Sequence, residues 1–410
     1  MVEPGNVVEV EGYRNLFEQY VAAGVVHSLD TVRQDRLRIA EDVRLQAWHL
    51  LSFALRTPRA WPVTATLLLE LSPKMQQAGY REQWLAYLEE GLVFSRNAGD
   101  ALRTAALELE VGELQRHLGR LDAAQTCFDA ALHTFVAAGD IVQTAAAKVC
   151  LANLAYLRER WLPALDLCGE VLAAIIDIHF VRARALFVAA NTHNSLHEEE
   201  AAEQLLLESQ AAWQELGEPQ WAALCLQNRA WLASRRGNNG LARALCAEAL
   251  TTFLELGALH SQGVVQQDWG IIEYLDGDMQ AALLRYQEAE RIFRRLGDVR
   301  YVANVCNNMG LVYRAEQKWN DAEACYAECV EIYRQQGAVL TRINADSGRG
   351  KLWLERGDAA KALAHFDRLL ADLQAIEENA ERRRLYAEIT GYRRQAAAAL
   401  ESPAADSATP

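Results

Sequence analysis

Proline is scarce in this chain, eight of 410 residues, which removes the commonest interruption of long helices. Long apolar runs are missing too: no stretch of about 18 apolar residues occurs, so no membrane-spanning helix is expected. The start, Met1-Val2-Glu3-Pro4-Gly5, lacks the basic and apolar regions of a signal peptide, and the expected address is cytoplasmic. Basic residues are outnumbered, 41 against 55 acidic, for a formal charge of −14. A surface of that sign repels phosphate backbones, so neither nucleic acid nor a membrane is an expected partner. The eight cysteines include no Cys-x-x-Cys pair and read as small buried hydrophobes in a reducing compartment.

Reactive motifs are also missing. There is no Gly-x-x-x-x-Gly-Lys-Ser/Thr loop, no His-Glu-x-x-His and no Gly-x-Ser-x-Gly. One constellation invites a metal. His193 and His197 stand one helical turn apart, followed by Glu198-Glu199-Glu200. His193, however, occupies the place where Tyr313 and Trp353 stand in later repeats, a packing position. His197 and the glutamates fall where a second helix begins, which suits acidic residues. The structural reading is preferred. No catalytic residue, no metal site and no cofactor are expected, and carboxylate pairs such as Glu108 with Glu110 read as solvated helix faces with no acid buried beside a base.

What the chain does have is a repeat. Small residues recur at Ser72, Gly112, Ala152, Ala190, Ala230, Gly270, Gly310 and Gly350, at steps of 40 with one of 38. A second column reads Trp84, Ala124, Ala164, Ala202, Ala242, Ala282, Ala322 and Ala362. A third is bulky or apolar: Leu88, Phe128, Cys168, Leu206, Cys246, Tyr286, Tyr326 and Phe366. Helices packed at roughly 8–10 Å need small side chains where their axes approach and a large one beside them. Turn signals such as Gly277-Asp278 and Gly297-Asp298 separate the columns, so each unit reads helix, turn, helix, turn.

These residues resemble the tetratricopeptide repeat. The best copy runs Asn307-Asn308-Met309-Gly310-Leu311-Val312-Tyr313, then Trp319-Asn320-Asp321-Ala322-Glu323 and Tyr326. The usual period is about 34 residues, so this array resembles a longer-helix variety in which Gly-Asp replaces the closing Pro. The resemblance implies an all-α fold: a right-handed superhelical solenoid of about eight helix-turn-helix repeats with capping helices at both ends. The expected organisation is a lead-in and capping helices over 1–59, with helices at 13–23 and 31–55. Eight repeats follow over 60–376, then a capping helix over 377–400 and a disordered tail over 401–410. The run Leu50 to Asp100, with Trp61, Gly79-Tyr80, Trp84-Leu85 and Leu88-Glu89, resembles the start of the C-terminal helical arm of bacterial signal-transduction ATPases. Asn307-Asn308 before Met309-Gly310 resembles the repeats of kinesin light chains.

In arrays of this kind the first helix of each pair lines a concave groove, which puts a mixed polar set there. The amides are Asn153, Asn191, Asn194, Gln227, Gln267, Asn304, Asn307 and Asn344. The aromatics are Tyr156, Trp231 and Tyr274, and the cations are Arg184, Arg235, Arg314 and Lys351. An amide side chain can donate to a peptide carbonyl and accept from a peptide N–H, so a ladder of amides can hold a backbone of any sequence. The expected function is a non-catalytic interaction scaffold that binds an extended peptide or a partner domain in this groove. The alternative is a regulatory sensor arm in a bacterial signalling or transcription-control assembly whose ATPase or effector is on another chain.

Overall fold

The computed structural model describes residues 4–34, 39–77, 80–376, 378 and 380–401. Among them it contains nineteen α-helices and no strand, and no helix is long and apolar enough to cross a membrane. The expected tail over 402–410 lies outside the described residues, while Glu401 ends the last helix.

The chain divides into two units, Met1–Leu259 and His260–Pro410. In the first, α1 (Pro4–Gln34), α2 (Glu41–Ala54) and a 3-10 turn (Pro58–Ala60) precede five helix pairs. These are α3 (Trp61–Gln77) with α4 (Arg81–Asn97), α5 (Ala101–His117) with α6 (Leu121–Ala138), and α7 (Ile141–Leu157) with α8 (Trp161–Ala174). Then come α9 (Phe180–Ser195) with α10 (Glu199–Glu215) and α11 (Pro219–Arg235) with α12 (Asn239–Glu255). The second unit holds α13 (Leu259–Leu275) with α14 (Met279–Leu296), α15 (Val299–Ala315) with α16 (Trp319–Gln335), and α17 (Val339–Glu355) with α18 (Ala359–Gln374). It closes on α19 (Ala380–Glu401).

Turn chemistry explains the pairing. Gly277 and Gly297 adopt left-handed φ values of +86° and +67°, which end a helix at no steric cost. The next residue restarts it: Asp278 accepts from the Ala281 backbone N–H at 2.9 Å, and Asp298 from that of Tyr301 at 3.4 Å. In three turns a side chain bears the left-handed geometry instead, at Glu159, His197 and Gln317.

The columns meet as their residue sizes require. A methyl added to Gly310 would lie 2.9 Å from the ring of Tyr326, and one added to Gly270 2.5 Å from the ring of Tyr286. Small and bulky columns are therefore the two sides of one contact within each hairpin. Every residue of the second column is fully buried, from Trp84 to Ala362. Each fully buried Leu or Phe of the third column contributes about 1.5–3 kcal/mol of transfer free energy.

Within each unit, contacts that skip a helix join first helices: α5 to α7, α7 to α9 and α9 to α11, and likewise α15 to α17. The row of first helices is thus the closer-packed, inner row.

At the N-terminus α1 runs unbroken past the expected end at Ala23. Gly24 is no break there: its α-carbon packs on Leu50, where an added methyl would meet a side chain at 3.2 Å. Val21, Val25, Leu29 and Val32 of α1 are buried with Ala47, Leu51 and Ala54 of α2. At the other end Leu385, Ile389 and Ala396 of α19 are buried in the core that α17 and α18 form.

Candidate functional site

Several inner-row side chains picked out by the sequence are already engaged within the protein. Arg184 on α9 reaches back to α5 and pairs with Glu113 at 3.0 Å, its guanidinium 5.7 Å from the Trp221 ring. Arg235 donates to the Asn194 side-chain oxygen at 2.9 Å and to His197 Nδ1 at 2.7 Å, and pairs with Glu199 at 3.0 Å. His197 is thereby held at a left-handed turn while His193 pairs with Glu198 at 2.5 Å, so the two imidazoles face different partners. Asn304 accepts from the Tyr333 hydroxyl. Lys351 donates to Glu388 at 2.8 Å and lies 4.3 Å from the Tyr392 ring centroid.

Others stay uncommitted. Asn153, Asn191 and Asn307 are half-buried and have no side-chain hydrogen bond among the described residues. Trp231 is half-buried with no ring contact among them. Tyr156 packs on Trp161 at 5.6 Å between ring centroids, and Tyr274 packs against the core of the second unit. Gln227 is buried, and Asn344 is exposed, its backbone carbonyl accepting from Ser347. Gln267 and Arg314 each keep one buried polar atom without a partner, Oε1 and Nη1 respectively, while Arg314 Nε lies 3.4 Å from Glu355.

The expectation that no acid is buried beside a base is wrong at two places. In the first unit Glu113 sits between Arg116 at 2.7 Å and Arg184. Burial works to raise the Glu113 carboxyl, but the charges of Arg116, Arg184 and His117 overturn it and hold the group well below the usual range. Glu110, one turn earlier, has only a neutral contact, Gln76 Nε2 at 3.4 Å. Withdrawal from water, helped by the charge of Glu113, pushes it up to about 7, against a hydrogen bond from Ser72 and the charge of Arg184. In the second unit buried His365 donates from Nε2 to the Asp346 carbonyl at 2.9 Å and accepts at Nδ1 from Arg368 at 2.5 Å. Asp346 is drawn below its ordinary value, burial being outweighed by His365 and Arg349.

Glu113 and Arg116 stand beside Gly112 as Asn153 and Tyr156 stand beside Ala152. The same register would have found them. Glu290, Cys306 and Glu328 form a group of another kind, with ligand atoms within 4.8 Å of one another. Arg294 donates to both glutamates at 2.6 Å, so a guanidinium already supplies the positive charge there.

A family model described as tetratricopeptide repeat matches residues 262–335. No curated protein matches the sequence. Among solved structures, a Rap protein complexed with competence and sporulation factor aligns with a TM-score of 0.55 at 13% identity, over 82% of this chain and 99% of that one. Aspartyl phosphate phosphatase F from Bacillus subtilis aligns at 0.52 and 14% identity, over 87% and 94%. A signal-transduction ATPase with numerous domains and a tetratricopeptide repeat sensor, from Pyrococcus horikoshii, aligns at 0.56 and 13% identity over 87% of this chain, which spans 55% of that protein. At such identities the likeness is one of fold. Residues 262–335 are tetratricopeptide repeats, and the chain is an all-α array of helix pairs with the fold of tetratricopeptide-repeat proteins.

Proposed function

We propose that the chain is a non-catalytic interaction module that takes an extended peptide along the inner row of first helices. The observation that carries this reading is the set Asn153, Asn191 and Asn307: amides on inner-row helices, half-buried, with both hydrogen-bonding ends unclaimed by the protein. A half-buried amide is pre-desolvated and short enough to be held still, which favours bonding to a peptide group over bonding to bulk water. No nucleophile stands beside an activating base in either buried acid–base group, so neither is arranged for covalent chemistry. The Rap protein among the structural neighbours was solved with competence and sporulation factor bound, which is compatible with a ligand-receiving array. The test is binding of selected peptides by Asn153→Ala, Asn191→Ala and Asn307→Ala variants. Each retains its melting temperature and loses affinity; unchanged affinity in all three ends the reading.

A second reading is favoured by the ATPase whose repeats are described as a sensor. Here the array is a regulatory arm that works with an ATPase or effector on another chain. It predicts a single stoichiometric partner carrying a nucleotide-binding domain, and a change in that partner's nucleotide turnover on binding.

A further inference from the structure

Tyr326 belongs to a second helix, α16, yet its ring is wedged between two first helices. A methyl added to Gly310 on α15 would lie 2.9 Å from that ring, and one added to Gly348 on α17 would lie 2.8 Å from it. The residue is wholly buried, but its hydroxyl has no partner among the described residues. Arg314, one turn beyond Gly310, is the charged group that acts most strongly on this hydroxyl, and Tyr274 of α13 also acts on it. Arg314 Nη1 is buried and unpartnered as well, and so is Gln267 Oε1, two turns before Tyr274 on α13. Buried polar atoms are nearly always matched in native folds, so three unmatched ones on neighbouring inner-row helices call for an explanation.

We infer that these atoms form a recess in the second unit that receives an uncharged main-chain peptide group of the partner, its carbonyl at Tyr326 and Arg314 and an N–H at Gln267. The inference rests on the peptide-binding reading above and adds the atoms and the chemical class. Charge balance excludes the obvious rival. Glu355 already stands 3.4 Å from Arg314 Nε and offsets its charge, so a second carboxylate is not called for. A carboxylate also carries no N–H for Gln267 Oε1, and a metal cation would be repelled by the guanidinium. A peptide group brings one acceptor and one donor, which is what two donors and one acceptor in the wall can use.

The experiment selects random dodecapeptides on the full-length chain and measures the enriched pool against Tyr326→Phe and Arg314→Gln. Tyr326→Phe keeps the ring between the two glycines and removes only the hydroxyl. The expected result is an unchanged or raised melting temperature with affinity lowered about tenfold, and a pool with no required acidic residue. If the pool binds both variants as it binds the parent, the recess is not used, although the peptide-binding reading survives. A melting temperature lowered in Tyr326→Phe would make the hydroxyl structural, and an obligatory acidic residue would make the ligand charged; either overturns the inference. Failure to enrich any peptide ends both readings together.

Discussion

Replacing Gly310 by Ala tests the repeat register at its tightest contact. The added methyl would stand 2.9 Å from Cε1 and 3.0 Å from Cζ of Tyr326. Carbon pairs rest at about 3.5–4.0 Å, so the ring must retreat by roughly 0.5–1 Å. It has nowhere to go, because Gly348 closes its far side within a similar distance and the ring is fully buried. Overpacking of this kind costs about 1–3 kcal/mol. Working against it, Ala in place of Gly in a helix gains about 0.5–1 kcal/mol through the unfolded chain. The clash should win, leaving a net loss of about 1–2 kcal/mol and a melting temperature roughly 2–8 °C lower.

Gly391→Ala supplies the control within the same unit. It is helical, in α19, and nothing lies within 4 Å of where its methyl would go. Only the helix gain applies, so this variant should be more stable than the parent. Urea unfolding of the two variants, with hydrogen exchange to assign the loss to α15 and α16, measures the difference directly. If the two substitutions have equal effects, Tyr326 does not pack on Gly310 as described, and the explanation of the small-residue column fails.

Three further outcomes follow from the same geometry. Because the Glu110 carboxyl is raised to about 7, the folded protein holds a proton there that the unfolded chain releases at lower pH, so stability falls as pH rises from about 4.5 towards 7. Glu110→Gln should flatten that dependence and stabilise the protein at pH 8 by on the order of 1–3 kcal/mol, read from urea midpoints across pH. A steeper fall in the variant would refute the assignment. Gln317 bears a φ of +58°, and Gln317→Gly should relieve the left-handed strain and stabilise by about 1 kcal/mol in a thermal melt. Asn304→Ala should cost about 1–3 kcal/mol by stranding the Tyr333 hydroxyl, while Asn307→Ala should stay within about 0.5 kcal/mol, a contrast that a pair of denaturation curves decides.

The array was legible because its contacts repeat. A ring such as Tyr286 or Tyr326 needs a small residue on the facing helix, and that steric demand returns at every hairpin, so it writes a column of Gly270 and Gly310 into the sequence. Ends of helices are legible for a similar reason, since only glycine adopts a left-handed turn freely. The long α1 was not legible. Gly24 reads as a break, and only the placement of Leu50 against it reveals a close helix contact.

The inner row follows a different rule. Arg184 bonds Glu113, 71 residues away in the chain, and no period encodes that choice. A long cation can sweep over several carboxylates on neighbouring helices and settles on the one whose geometry suits it, so the pairing varies from repeat to repeat. Asn has two rotatable side-chain bonds and cannot reach the next helix by itself. It is consumed only where a longer group comes to it, as Arg235 comes to Asn194 and the Tyr333 hydroxyl to Asn304. Side-chain length therefore sorts the candidates. Arg184, Arg235 and Lys351 are spent on holding helices together, while Asn153, Asn191 and Asn307 keep their hydrogen-bonding capacity. A partner that meets this surface meets short amides first. Recognition built on short amides discriminates main-chain geometry better than side-chain charge, which is the behaviour the peptide selections would reveal.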